Sequence, residues 1–292
     1  MTRERNRRGE NPVRHFCFRF DVDTHRCLRK GVPNLLRLAN DLDVRFTFFI
    51  NMGRAVSRLG YLRRILKGGG TEGRVAKLSN LKKLGFMDYM VTSLLNPEVG
   101  SSYPEVIRQA QASGHEIGLH GGRNHAAWQE AGAEWPPEKI DYEVRAGLER
   151  LVAITESRPA GFASPGWQGS GALHRVLETL GFKYVADVHQ HGVETIRKAG
   201  PDLDLVEIPT NIVGEPGGVG YIEHLHARAM TDSEILEDLK LRLERLKDLA
   251  IVYDHPCYAG IQGLQVVSEI IGLAKSQGFA VTNLKEIAQG HS

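Results

Sequence analysis

Short apolar or β-branched runs alternate with stretches of helical period along most of this chain, and that alternation limits the fold more than any other feature. The runs are "HFCFRFDV" (15–22), "VRFTFFI" (44–50), "EIGLH" (116–120), "AGFAS" (160–164), "KYVAD" (183–187), "LVEIP" (205–209), "AIVYDH" (250–255) and "FAVTNL" (279–284). Helical period is clearest over 136–156, which starts with Pro-Pro-Glu, over 170–181, which ends in Gly181, and over 232–248, where Asp232 looks like a cap. Strand–helix alternation of this kind argues a parallel sheet, because each crossover needs a helix-sized connection. Seven or eight mostly parallel strands close into a distorted (β/α) barrel more readily than they form an open sheet. Chemistry in such barrels sits at the C-terminal ends of the strands. Neither GxGxxG nor GxxxxGK[ST] occurs, so nucleotide binding has no support.

The remaining whole-chain features exclude more than they assign. The 292 residues suffice for a large core. Three scattered cysteines give no disulfide framework and fit a reducing compartment. The basic start "MTRERNRRGENPVRH" has no apolar stretch behind it, which reads against a secretory signal and for a cytoplasmic protein. No run of 18 apolar residues exists, so no membrane-spanning helix is expected. The expected organisation is a basic tail at 1–14 and one barrel domain at 15–290, with an insertion at 51–100.

Two strand ends carry candidate chemistry. In "FRFDVDT" the alternation of side chains puts Arg19, Asp21 and Asp23 on one face and Phe18, Phe20 and Val22 on the other. Adjacent carboxylates need a cation, which Arg19 or a metal could supply. The same Asp-x-Asp-Thr pattern also caps helices, so the spacing leaves both readings open. In "HEIGLHGGRNH", His115 and His120 face opposite ways, and His115 reads as structural. His120 and His125 are five apart, which does not align them on a helix. They meet only if the Gly-Gly pair folds the chain back. Imidazole with carboxylate is a catalytic zinc set of three protein ligands.

These residues resemble the polysaccharide deacetylase (NodB-homology) family of metal-dependent N-deacylases. "RFDVDTHRCLRKGVPNLL" and "HEIGLHGGRNHAAWQ" are similar in particular to its deformylases of lipid-linked formamido-arabinose. The resemblance runs from about Phe16 to about residue 285. It implies the same distorted barrel, with Asp21 as general base and Asp23, His120 and His125 as metal ligands. Zn2+ is the default ion for that set, and Co2+, Mn2+ or Ni2+ would also fit. In the third family motif, "GFASPGWQ", Pro165 and Trp167 are kept but the arginine position is Ala163; Arg19 is a candidate substitute. The fourth motif appears as Asp187, suited to orienting a histidine. The fifth, "IVYDHP", offers His255 as general acid. A backbone N–H of the Pro165–Trp167 loop is expected to face the oxyanion.

Residues 51–83 hold nine basic residues and one acidic, and the mostly apolar "LGFMDYMVTSLL" (84–95) follows. Such a segment reads as an interfacial membrane anchor, or as a basic face over a core helix. The expected function is removal of a formyl or acetyl group from an amino sugar, held on a polyprenyl phosphate at the cytoplasmic membrane face. The competing readings are a soluble deacetylase of free amino sugars or small amides, and a degraded, non-catalytic membrane-associated protein. No nucleic-acid-binding module is recognisable.

Overall fold

A computed structural model describes residues 13–54 and 97–291. The run "RHFCFRFDV" forms β1 (Arg14–Val22), the strand on which the rest of the sheet is assembled. Eight further strands follow: β2 (Thr47–Ile50), β3 (Glu116–His120), β4 (Gly161–Ala163), β5 (Tyr184–Val185), β6 (Arg197–Lys198), β7 (Val206–Glu207), β8 (Leu249–Asp254) and β9 (Phe279–Val281). Their order is β6-β7-β5-β4-β3-β2-β1-β8, and β9 pairs with the first residues of β1. Among the described residues every strand pairing is parallel except β6 with β7. All eight expected runs contain a strand. The short β6 was missed, since two exposed basic residues carry no apolar signal.

The sheet curls until its two ends meet. Beyond β7 the chain runs on alongside β5, with the Ile208 N–H on Val185 O (2.9 Å) and the Thr210 N–H on Val188 O (2.9 Å). It then crosses to β8, where the Ile212 N–H donates to Ile251 O and the Tyr253 N–H to Ile212 O, both at 3.0 Å. One step earlier a side chain stands in for the backbone. The buried Asn211 amide donates to Leu249 O and accepts from the Ile251 N–H, both at 2.8 Å. The distorted barrel read from the sequence is thus closed along a short seam.

Alternation along β1 divides the interior in two. Phe16, Phe18, Phe20 and Val22 join the large core between sheet and helices, with Phe46 and Phe48 beside them. Cys17 points the other way, into a smaller barrel core with Phe49, Tyr184, Ile208 and Ile251. Burying a large side chain of this kind contributes about 1.5–3 kcal/mol, so this register is firmly specified.

The three expected helices form at Pro137–Thr155, Gly171–Thr179 and Asp232–Arg245. The last is capped by Thr231 rather than Asp232. Thr231 accepts from the Glu234 N–H while Glu234 reaches back to the Thr231 N–H, a reciprocal capping box. Residues 1–12 of the basic tail, and residues 55–96 with nearly all of the basic and apolar insertion, lie outside the described residues. Among those described, no helix is long and apolar enough to cross a membrane.

Candidate metal and catalytic site

β1 and β3 bring the candidate donors to the same end of the barrel. Asp21 lies within β1, Asp23 just beyond it, and His120 ends β3. Gly121 follows at φ +70, and a Cβ there would lie 2.5 Å from the Pro165 ring. At Gly122 a Cβ would lie 2.5 Å from Glu143 O, so neither position tolerates a side chain. This turn carries the chain into the helix His125–Ala131, which Asn124 caps by accepting from the Ala127 N–H at 3.1 Å. His125 is therefore the first helical residue, folded back so that its ring centroid lies 4.9 Å from that of His120.

Three side chains converge there. His120 Nε2 and His125 Nε2 each lie 3.2 Å from Asp23 Oδ1. His120 Nδ1 is 2.9 Å from Ala163 O. A carbonyl only accepts, so Nδ1 carries the proton and neutral His120 presents a lone pair at Nε2. Asp23 Oδ1 and both His125 ring nitrogens are buried, yet have no hydrogen-bond partner among the described residues. Burial alone would raise the Asp23 pKa. The neighbouring His125, His120 and His255 rings overcome that and hold the carboxyl well below the usual carboxylate range. Burial likewise opposes a charge on His120, but the Asp21 and Asp23 carboxylates raise its pKa. Buried polar atoms without partners are costly, and a divalent cation would satisfy all three donors at once.

Behind Asp23 lies an arginine–carboxylate fork. Arg19 donates through Nε to Asp21 Oδ1 (3.1 Å) and through Nη2 to Asp21 Oδ2 (3.0 Å), with both residues buried. Arg19 also donates to Ala186 O at 2.6 Å and Thr210 Oγ1 at 3.0 Å. Its guanidinium carbon lies 4.4 Å from the Trp167 ring centroid. The carboxylate is therefore locked in one orientation, by an arginine from its own strand where Ala163 occupies the expected position on β4. Trp167 is held by its indole N–H on Gly218 O at 2.8 Å. Its backbone N–H donates to Ser164 O at 3.1 Å.

His255 completes the cluster from the end of β8. Its Nε2 lies 3.0 Å from the Tyr253 hydroxyl and 3.3 Å from Asp23 Oδ2, and its Nδ1 lies 3.8 Å from Glu223 Oε2. Asp187 does not reach it. That carboxylate accepts from the Ser164 N–H (2.7 Å) and hydroxyl (2.8 Å), bracing the loop after β4. His174 Nε2 lies 3.9 Å from Asp187 Oδ2. Glu223 and Tyr253 were not picked out from the sequence. Glu223 comes close because the buried Asp254 accepts the Ile222 and Glu223 N–H groups at 2.7 and 3.3 Å, docking the helix Tyr221–Ala227 beside β8.

Comparison with known proteins gives the family and the fold. The polysaccharide deacetylase family model matches residues 8–185. Over 279 residues the chain is 31% identical to a Shewanella sediminis protein named as a probable 4-deoxy-4-formamido-L-arabinose-phosphoundecaprenol deformylase, ArnD. That match covers 92% of this chain and 84% of the relative. A crystal structure of a candidate polysaccharide deacetylase from Mycobacterium smegmatis superposes with a TM-score of 0.64 at 20% identity, covering 96% of this chain and 91% of that one. The Puue allantoinase superposes with a TM-score of 0.61 at 16% identity, covering 94% and 89%. At such identities the likeness shows a shared barrel and leaves the substrate open. The chain belongs to the polysaccharide deacetylase family.

Proposed function

We propose that the protein is a metal-dependent N-deacylase that removes a formyl or acetyl group from an amino sugar carried on a polyprenyl phosphate, acting at the cytoplasmic membrane face. The observation that carries this reading is the meeting of Asp23, His120 and His125 beside the Arg19–Asp21 fork, with His255 facing them. Asp23, His120 and His125 would hold the ion, with zinc the default and cobalt, manganese or nickel also fitting. When bound, it supplies a Lewis acid for the acyl oxygen and lowers the pKa of water.

The chain's own residues handle the protons. Asp21, kept in one orientation by Arg19, takes the proton from the water that attacks the acyl carbon. His255, with its Nε2 turned into the cluster, gives a proton to the departing nitrogen. Tyr253 and Glu223 set the direction of that ring. Trp167 forms one wall, and Asp187 keeps the Pro165–Trp167 loop in place through Ser164. The lipid-linked substrate is supported by the similarity to the Shewanella protein and by the basic and apolar composition of residues 51–95.

Mass spectrometry of a polyprenyl-phosphate-linked 4-formamido sugar incubated with the protein tests this directly. The expected result is loss of one formyl group, abolished by chelation and restored by zinc. Turnover that survives exhaustive chelation, or no turnover of any N-acyl sugar by zinc-loaded protein, overturns the reading.

A further inference from the structure

The loops after β2 and β3 place two arginines on one depression at the rim of the site. Gly53 packs on the turn that follows His120, since a Cβ there would lie 2.4 Å from Arg123 O and 2.7 Å from Gly122 O. The next residue on one loop is Arg54, and the residue at the contact on the other is Arg123. Both line the depression, together with Glu98, Asn124 and Glu143. The two carboxylates are already engaged. Glu98 pairs with Arg150 at 2.8 Å, and Glu143 accepts the Asn124 N–H at 2.8 Å. Among the described residues Arg54 meets no carboxylate, and Arg123 has only the Tyr142 hydroxyl and ring. With Glu98 paired to Arg150, Arg54 and Arg123 are two guanidiniums on this depression with no carboxylate partner among the described residues, and together they can take an anion. Asn124 also caps the His125 helix, so this rim lies one residue from a proposed metal ligand.

We propose that Arg54 and Arg123 form the subsite for the phosphodiester joining the sugar to its carrier. This rests on the function proposed above. Planar guanidiniums bind phosphate oxygens in pairs, which fixes direction as well as charge. The phosphate and the amide of one such sugar lie on opposite sides of a single ring. A subsite beside the metal donors, without overlapping them, is what that substrate needs.

The test compares two substrates in the full-length, zinc-loaded protein: a 4-formamido sugar bearing a methyl phosphodiester, and the same sugar as a neutral methyl glycoside. Arg54→Gln with Arg123→Gln is expected to raise KM for the phosphodiester about tenfold to a hundredfold, with kcat within about twofold. The neutral glycoside should be unaffected, and Arg→Lys at both positions should recover part of the loss. Equal damage to both substrates, or none, overturns the subsite. If wild-type protein deacylates neither substrate, turnover of the polyprenyl-linked sugar judges the proposed function, and calorimetric binding of inorganic phosphate judges the subsite alone. Binding lost in the double Gln variant supports it, and unchanged binding overturns it. Binding to phosphatidylglycerol vesicles should be the same for wild type and variant. If vesicle binding falls while KM holds, these arginines serve lipid headgroups and the subsite is overturned.

Discussion

β3 carries chemistry at both ends, and the two ends are built on opposite principles. At its start, Glu116 points into the barrel and accepts from the Tyr184 hydroxyl (2.7 Å), Thr47 Oγ1 (2.9 Å) and the Lys285 N–H (2.8 Å). His115 beside it faces the outer core, accepts the Phe46 N–H at Nδ1 (3.0 Å), and packs against Phe46 and Phe48. These polar contacts are met within the protein, and this end is a plug. At the other end His120 and its neighbours point donors at one another, and several buried atoms go without a partner. A buried polar group satisfied by its own protein is structure, whereas one left wanting marks a place where something else binds. Residue type alone does not separate the two ends, since each has a histidine and a carboxylate.

The contrast can be broken most severely at Asp21. Asp21→Asn is expected to cost about 10³-fold in kcat while leaving metal content near wild type, because an amide accepts no proton from water; the melting temperature should fall, since the buried Arg19 loses its counter-charge. Turnover within tenfold of wild type would remove Asp21 from the mechanism. Next in size, His125→Ala should reduce bound metal from about one per chain to a small fraction of that, read by elemental analysis after dialysis. Full occupancy would mean that the convergence of the three donors is structural. At the plugged end the loss should appear in stability instead. Glu116→Ala leaves three donors without an acceptor and should destabilise by about 3–5 kcal/mol in urea, with metal content retained. Loss of metal in this variant would mean that the two ends are not independent.

The smallest effect concerns pH. Burial, and then the nearby Arg45 charge, push His115 down to about 4 from an ordinary 6.5. Between pH 6.5 and 4 the unfolded chain takes up a proton that the folded one refuses. Stability is therefore present above 6.5 and lost as pH falls through that window, by at most about 3 kcal/mol. His115→Phe should flatten this part of the urea stability–pH curve relative to wild type. Identical slopes in the two proteins would show that His115 titrates freely in the fold.

Period and spacing marked Asp23, His120 and His125 as candidates before any coordinates, and the family resemblance supplied their proposed role as metal donors. Alternation along β1 put Arg19, Asp21 and Asp23 on one face, and a Gly-Gly pair was the only local device that could fold His125 back to His120. The barrel was legible for the same reason, since its strands announce themselves as apolar runs. What stayed hidden depends on contacts distant in sequence. Glu223 lies near His255 only because Asp254 docks a helix thirty-odd residues upstream, and no local pattern encodes that. Asp187 shows the same limit. A strand-end aspartate can orient a histidine or brace a loop, and the choice rested on Ser164, which the sequence does not place beside it.

The seam at Asn211 has a consequence for how this barrel can vary. Ladder bonds between backbones survive nearly every substitution, because every residue except proline carries the same peptide group. At Asn211 two rungs of the closing ladder belong to a side chain instead. Circular closure thus hangs at one point on a single codon. Asp keeps the shape but loses the donor, Leu loses both bonds, and each change loosens the same wall from which Thr210 holds Arg19. Hydrogen exchange at the Ile251 amide would report that loosening directly, long before the molecule unfolds.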